Sequence, residues 1–264
     1  MIKKVKKTSE DNLTSLKEKK GSPTKDKQRL EIQEVIITHS EHRLEGRYYK
    51  NQDKNAPTAI ILPPNPLQGG TMNNKVVYRT FHALISIGFS VLRFNYRGVG
   101  KSDGTHDGGT GELHDAAVAL DWMQCRHIEA NGYWVVGFSF GAWLGLQLLM
   151  RRPEIDGFVS ISPPATLYPF DFISPCPIPG LIIQGTDDTI SRESDSYALF
   201  QKLHKQKNAQ VDYHLINGAD HFYNNHIPDL TEKICSFIKE TINVTREPRY
   251  KKAKRVRSRK ENIT

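Results

Sequence analysis

A chain of 264 residues with 37 Lys and Arg against 29 Asp and Glu carries a formal net charge of +8, and 38% of its residues are hydrophobic. The charge is unevenly placed: residues 1–29 hold ten basic side chains against four acidic, residues 246–264 nine against two, so residues 30–245 keep 18 against 23 and are net acidic. The pI of 9.3 therefore describes the two ends and excludes reading a basic active site from the average. Residues 1–29 and 246–264, rich in Lys, Arg, Ser and Thr, bury too little apolar surface to offset chain entropy and are expected to be disordered basic tails around a single domain, 30–245.

No stretch reaches the roughly 18 consecutive apolar residues of a membrane helix. The charged start MIKKVKK is not followed by the apolar run of a secretory signal. Cys125, Cys176 and Cys235 form no CxxC spacing, which points to reduced thiols. Together these lead us to expect a cytoplasmic protein with no membrane span.

The body opens with an antiparallel pair, Glu31–Thr38 and Leu44–Tyr49, turning near His42. Thr58–Leu62 is a short apolar strand that runs into PPNPLQGGTMNN. Val76–Ile87 carries Val77, Phe81, Leu84 and Ile85 at the spacing of one buried helical face, and Gly88 stops it. Ser90–Phe94 is a strand leading to the glycine-rich NYRGVGKSDG, and Glu112–Gln124 is helical. Tyr133–Phe138, with nothing polar inside, predicts a central strand covered on both faces, followed by a buried helix over Gly141–Arg151. Strands at Gly157–Ser162, Gly180–Gln184 and Gln210–Ile216 alternate with helices at Ser194–Gln206 and Leu230–Asn243. About eight strands with intervening helices imply an α/β fold: a mostly parallel sheet with helices on both faces. The proline-rich segment between Ser162 and Gly180 is too short for a large lid domain.

Gly137-Phe138-Ser139-Phe140-Gly141 places G-x-S-x-G at a strand-to-helix junction. Such a turn lifts the central hydroxyl clear of the sheet, and the new helix points its positive end at a developing oxyanion. A serine hydroxyl needs a base to take its proton and an acid to hold that base. Downstream, one strand ends in Gly185-Thr186-Asp187-Asp188 and the next in Asn217-Gly218-Ala219-Asp220-His221. The order Ser, Asp, His is the one this architecture uses. We therefore take Ser139, Asp188 and His221 as the catalytic candidates. Asp187 is the rival acid, His226 the rival base, and Asp220 is read as a turn cap.

The oxyanion hole should combine the N–H of Phe140 with one from the loop after Leu62. Pro63, Pro64 and Pro66 have no N–H to give, which leaves Asn65 and Leu67, and Asn65 is preferred. Phe138, Leu67, Trp143 and Phe222 are candidates to line a substrate pocket, with a small acyl compound as substrate.

The runs PPNPLQGGTMNNKVV, RFNYRGVGKSDG and GFSFGA resemble a compact group of bacterial α/β hydrolases whose corresponding loop reads HPHPLYGGTMNNKVV. The likeness extends from about Glu31 to Asn243. It implies an α/β-hydrolase fold and a serine triad, with dienelactone hydrolase-like and acyl-esterase relatives. This chain departs from the pattern where Pro63-Pro64-Asn65-Pro66 replaces His-Pro-His-Pro.

Two decoys fall to spacing. Gly100-Lys101-Ser102 lacks the earlier glycine of a phosphate loop, its place being taken by Asn95. Asp187, Asp188, His221 and His226 match no metal-specific spacing, so no metal or cofactor is expected. The main reading is a carboxylesterase-like acyl hydrolase working through an acyl-enzyme. The alternatives are a thioesterase or peptidase on the same residues, or a non-catalytic protein binding polyanions through its tails.

Overall fold

The computed structural model describes residues 30–39, 42–173 and 178–246. The two expected tails, apart from Arg246, lie outside the described residues. Strands β1 (Ile32–His39), β2 (His42–Tyr49), β3 (Thr58–Leu62), β4 (Ser90–Phe94), β5 (Tyr133–Phe138), β6 (Ile155–Ile161), β7 (Pro179–Gly185) and β8 (Gln210–Ile216) alternate with helices. The helices are α1 (Lys75–Ser86), α2 (Thr110–Arg126), α3 (Phe140–Leu149), α4 (Glu193–His204) and α5 (Ile227–Arg246). A single 3-10 turn, Pro66–Gln68, follows β3. Among the described residues between β6 and β7 there is no helix or strand, and no lid domain covers the sheet.

The eight strands form one sheet in the order β1-β2-β4-β3-β5-β6-β7-β8. The β1–β2 and β2–β4 pairs are antiparallel; all the others are parallel. From β3 the chain first moves to β4 and then crosses back to β5 on the other side. Open α/β sheets bind their ligands at the carboxyl ends of the strands beside such a reversal, here the ends of β3 and β5.

Period-two alternation divides the core into two layers. Ile60, Leu62, Val135 and Ile182 face one side, with residues of α2, α3 and α4. Ala59, Ile61, Trp134, Val136, Phe138, Leu181 and Ile183 face the other, with residues of α1 and α5. Burial of both faces explains the unbroken apolar runs in β3 and β5. β8, at the sheet edge, is fully buried only at Val211 and Ile216.

α2 and α5 run beyond the apolar periodicity that predicts them, whereas α1, α3 and α4 begin one residue before the expected start and end short of the expected end. α2 begins at Thr110 because the Glu112 carboxylate accepts the Gly109 N–H at 2.8 Å, which satisfies a donor at the helix start. α1 begins after Asn74, whose Oδ1 accepts the Val76 N–H at 2.9 Å. α5 continues to Arg246, past the expected end at Asn243.

Candidate active site

Ser139 follows β5 directly and has φ 54° and ψ −119°. A non-glycine residue in that region costs on the order of 1–3 kcal/mol, and the packing around it imposes the cost. A Cβ on Gly137 would collide with the Gly141 carbonyl, and one on Gly141 would collide with the Leu62 and Pro63 carbonyls. The turn closes only with glycine at both positions. It brings the start of α3 hard against the end of β3, which is its register neighbour through Leu62 and Gly137. The Ser139 N–H donates to Ile161 O at 2.9 Å, and its carbonyl accepts the Ala142 N–H at 2.8 Å.

Asp188 lies on the loop after β7 and His221 on the loop after β8. His221 Nδ1 is 2.8 Å from Asp188 Oδ2, and its Nε2 is 3.1 Å from Ser139 Oγ. All three residues are about 6% exposed, so their polar atoms need protein partners. Asp188 is heavily supplied: Oδ1 accepts the N–H groups of Ile190 at 2.9 Å and Ser191 at 2.8 Å, and Oδ2 also accepts Gln184 Nε2 at 3.1 Å. Burial pushes the Asp188 carboxyl upward. The bond and charge of His221, with the Ser191 N–H and the Ser162 hydroxyl, outweigh it and hold the group below the usual carboxylate range. An ionised carboxylate only accepts, so Nδ1 carries the imidazole proton and Nε2 is left to accept from the serine hydroxyl.

The rival residues are engaged elsewhere. Asp187 is exposed and accepts Thr186 Oγ1 at 3.1 Å. His226 pairs with Asp229 at 3.2 Å. Asp220 caps its turn, accepting Asn224 N–H at 2.9 Å and Asn224 Nδ2 at 2.6 Å.

Neither the N–H of Phe140, the first residue of α3, nor that of Asn65 has a backbone acceptor among the described residues. Leu67, the competitor from the same loop, spends its N–H on Asn65 Oδ1 at 2.8 Å. The N–H left over at the end of β3 is therefore that of Asn65.

The expected pocket residues divide. Trp143 is half-buried, stacks on Tyr168 with ring centres 4.5 Å apart, and donates Nε1–H to Pro169 O at 2.9 Å. Phe222 is 43% exposed and meets the His221 ring edge-on at 5.2 Å. Leu67 is 74% exposed at the rim. Phe138 corrects the expectation: it has no exposed surface, because the strand alternation turns it to the α1/α5 layer. There it packs 5.1 Å from the His221 ring, supporting the imidazole from the apolar layer and presenting nothing to a ligand.

Two residues of the site escaped the sequence reading. Gln184, fully buried at the end of β7, donates Nε2–H to Asp188 Oδ2 and, at 2.7 Å, to Ser191 O. As the sole polar side chain in an otherwise apolar strand it carried a signal. Tyr168, in the stretch between β6 and β7, carried none. Among the described residues no group of three or more His, Cys, Asp or Glu side chains could hold a metal ion.

A doubly covered, mostly parallel sheet, with a strained serine between a strand and a helix, defines the α/β-hydrolase architecture. A model of the α/β-hydrolase fold family matches residues 67–179, a span that includes Ser139 and stops short of Asp188 and His221. An uncharacterized protein of Rickettsia prowazekii (strain Madrid E) is 46% identical over 209 residues, 78% of this chain and 88% of that protein. A crystal structure of a protein of unknown function from Agrobacterium tumefaciens, described as an α/β hydrolase, is 47% identical with a TM-score of 0.77, covering 80% of this chain and 97% of that one. A protein from Xanthomonas campestris described as an α/β serine hydrolase without a lid is 28% identical with a TM-score of 0.71, covering 80% and 94%. The chain belongs to the α/β-hydrolase family.

No helix among the described residues is long and apolar enough to cross a membrane.

Proposed function

We propose that the protein is a serine hydrolase of carboxylesterase type, with Ser139 as nucleophile, His221 as general base and acid, and Asp188 holding the imidazole. The observation that carries this reading is the His221 ring, bridging Asp188 Oδ2 at 2.8 Å and Ser139 Oγ at 3.1 Å. That row lets the hydroxyl surrender its proton as it attacks.

Ser139 Oγ adds to the carbonyl carbon of an ester while its proton passes to His221 Nε2. The carbonyl oxygen becomes an oxyanion and takes the N–H groups of Phe140 and Asn65. Collapse of the adduct breaks the bond to the alcohol oxygen, which leaves with the proton held on Nε2. Water, deprotonated by the same nitrogen, then attacks the acyl-enzyme and frees the acid and Ser139. Asp188 stays ionised throughout and stabilises the imidazolium. The accessible Phe222, against the His221 ring, with Trp143 and Leu67, would receive an apolar acyl or alcohol group. Likeness to a described serine hydrolase from Xanthomonas campestris supports the reading. The free thiols of Cys125 and Cys235 suit a reducing cytoplasm.

Labelling with a fluorophosphonate probe, followed by hydrolysis of p-nitrophenyl esters of increasing acyl length, tests the proposal. The wild-type chain should label and turn over ester, and Ser139→Ala should abolish labelling. Unchanged labelling of the folded Ser139→Ala protein would remove the assignment.

A further inference from the structure

The two proposed oxyanion donors come from separate segments, α3 and the turn after β3, and one side chain touches both. Asn65 is bound mainly to its own turn: its carbonyl accepts the N–H groups of Gln68 at 3.0 Å and Gly70 at 2.9 Å, and its Oδ1 accepts the Leu67 N–H at 2.8 Å. Because Oδ1 must face that N–H, the orientation of the amide is settled and Nδ2 points the other way. There it donates to Tyr168 Oη at 2.9 Å, a bond that ties the turn to a segment over a hundred residues distant in sequence.

The Tyr168 ring lies against α3. Its centre is 4.5 Å from that of Trp143, nearly parallel at 22°, and 5.5 Å from that of Phe140. The Trp143 Nε1–H bond to Pro169 O at 2.9 Å anchors the residue beside it. Tyr168 thus grips the helix that begins with the Phe140 N–H through its ring, and the turn that offers the Asn65 N–H through its hydroxyl.

We infer that Tyr168 is a positioning residue that sets the spacing of the two oxyanion donors. The inference rests on the acyl-transfer reading above. An oxyanion is held to advantage only when both donors already point at the place it will occupy. Slackening one segment therefore affects the transition state more than substrate binding. The position that the resembling family gives to the second histidine of His-Pro-His-Pro is here an Asn, whose two-ended amide closes its own turn and reaches the tyrosine at once.

Tyr168→Phe keeps the ring and its stacking and deletes only the hydroxyl, and Asn65→Ala keeps the backbone N–H and deletes the amide. With a p-nitrophenyl ester, Tyr168→Phe should lower kcat roughly 3- to 10-fold, the worth of one hydrogen bond, with the thermal midpoint little changed, and Asn65→Ala, which deletes both bonds of the amide, at least as much, with KM within about two-fold in each. In the Asn65→Ala background Tyr168→Phe should cost less than about two-fold, because the partner is already gone. The same ordering should hold in the rate of fluorophosphonate labelling, which also serves if one variant proves unstable to turnover. Equal cost of Tyr168→Phe in both backgrounds, an effect confined to KM, or wild-type kcat in Tyr168→Phe would overturn the inference and leave the serine hydrolase intact. A wild-type chain that neither labels nor hydrolyses ester would instead overturn the acyl-transfer reading, and this inference with it.

Discussion

Two buried polar networks sit on the same carboxyl edge of the sheet, one over β2 and β4 and the other over β5, β7 and β8. In the first, Glu45 Oε2 accepts Asn95 Nδ2 at 2.9 Å and the Lys101 N–H at 2.9 Å. Asn95 Oδ1 takes the Met72 N–H at 2.8 Å, and Arg93 Nη1 donates to Met72 O at 2.7 Å and Asn73 Oδ1 at 2.6 Å. Those bonds tie loop to strand and strand to loop, so the carboxylate and the guanidinium are spent on architecture. In the second, donors converge on Asp188, Gln184 Nε2 and the Ser191 N–H from within the fold and His221 Nδ1 from the other side, and the row ends at Ser139 Oγ against His221 Nε2. Burial is alike in the two. On the proposed function, what separates the two is that one row of bonds turns back into the fold and the other ends on the hydroxyl of Ser139.

Substitutions should separate the two networks in rank order. Ser139→Ala should cut turnover of a short p-nitrophenyl ester at least ~10³-fold with the thermal midpoint preserved; a loss below tenfold would deny the reactive row its end. Asp188→Asn removes the acceptor that fixes the imidazole tautomer and should cost kcat up to about 10⁴-fold, read on the same ester. Because the folded-state Asp188 carboxyl is held low, the stability it contributes is present above the ordinary carboxylate range, near about 3.9, and drains away as pH falls through its depressed value. Urea unfolding should accordingly show the gap between wild type and Asp188→Asn constant near neutrality and narrowing in acid; a gap that widens in acid would reverse the sign argued here.

Asn95→Ala is the counterpart in the closed network. It strands the Met72 N–H and strips a donor from Glu45, at about 1–3 kcal/mol for each buried group left unpaired, while kcat should stay within a few-fold. A large fall in kcat at unchanged stability would erase the contrast between the networks. The smallest effect is expected for Gln184→Met, which lets the Asp188 carboxylate rotate but leaves its backbone donors in place. It should lower kcat roughly 3- to 10-fold with KM unchanged, as loss of an orienting partner does, and should narrow the acid dependence of stability; a change in KM alone would mean that Gln184 only shapes the cleft.

Much of this molecule was legible in its residues. Covering helices leave β3 and β5 no polar face, so their apolar runs announced central strands, and the turn at Ser139 announced itself because Gly137 and Gly141 are the residues that fit against neighbouring backbone. Asp188 and His221 could be named because a parallel sheet delivers every strand end to the same edge. The preference for Asn65 over Leu67 rested on the prolines of the loop; the bond of the Leu67 N–H to Asn65 Oδ1 is a contact that the sequence did not announce. Phe138 was misread because adjacency to Ser139 in sequence says nothing of which sheet face a strand residue occupies, and strict alternation turned it to the far layer. Tyr168 could not be read at all, for its role depends on a contact with Asn65 across a sequence separation of 103 residues. Local pattern decided the elements and the chemistry they bear, because steric fit and period act between near neighbours. Tertiary packing decided which donor is free, which ring supports the imidazole and which hydroxyl joins two loops, because those follow from distances between segments that no spacing along the chain encodes.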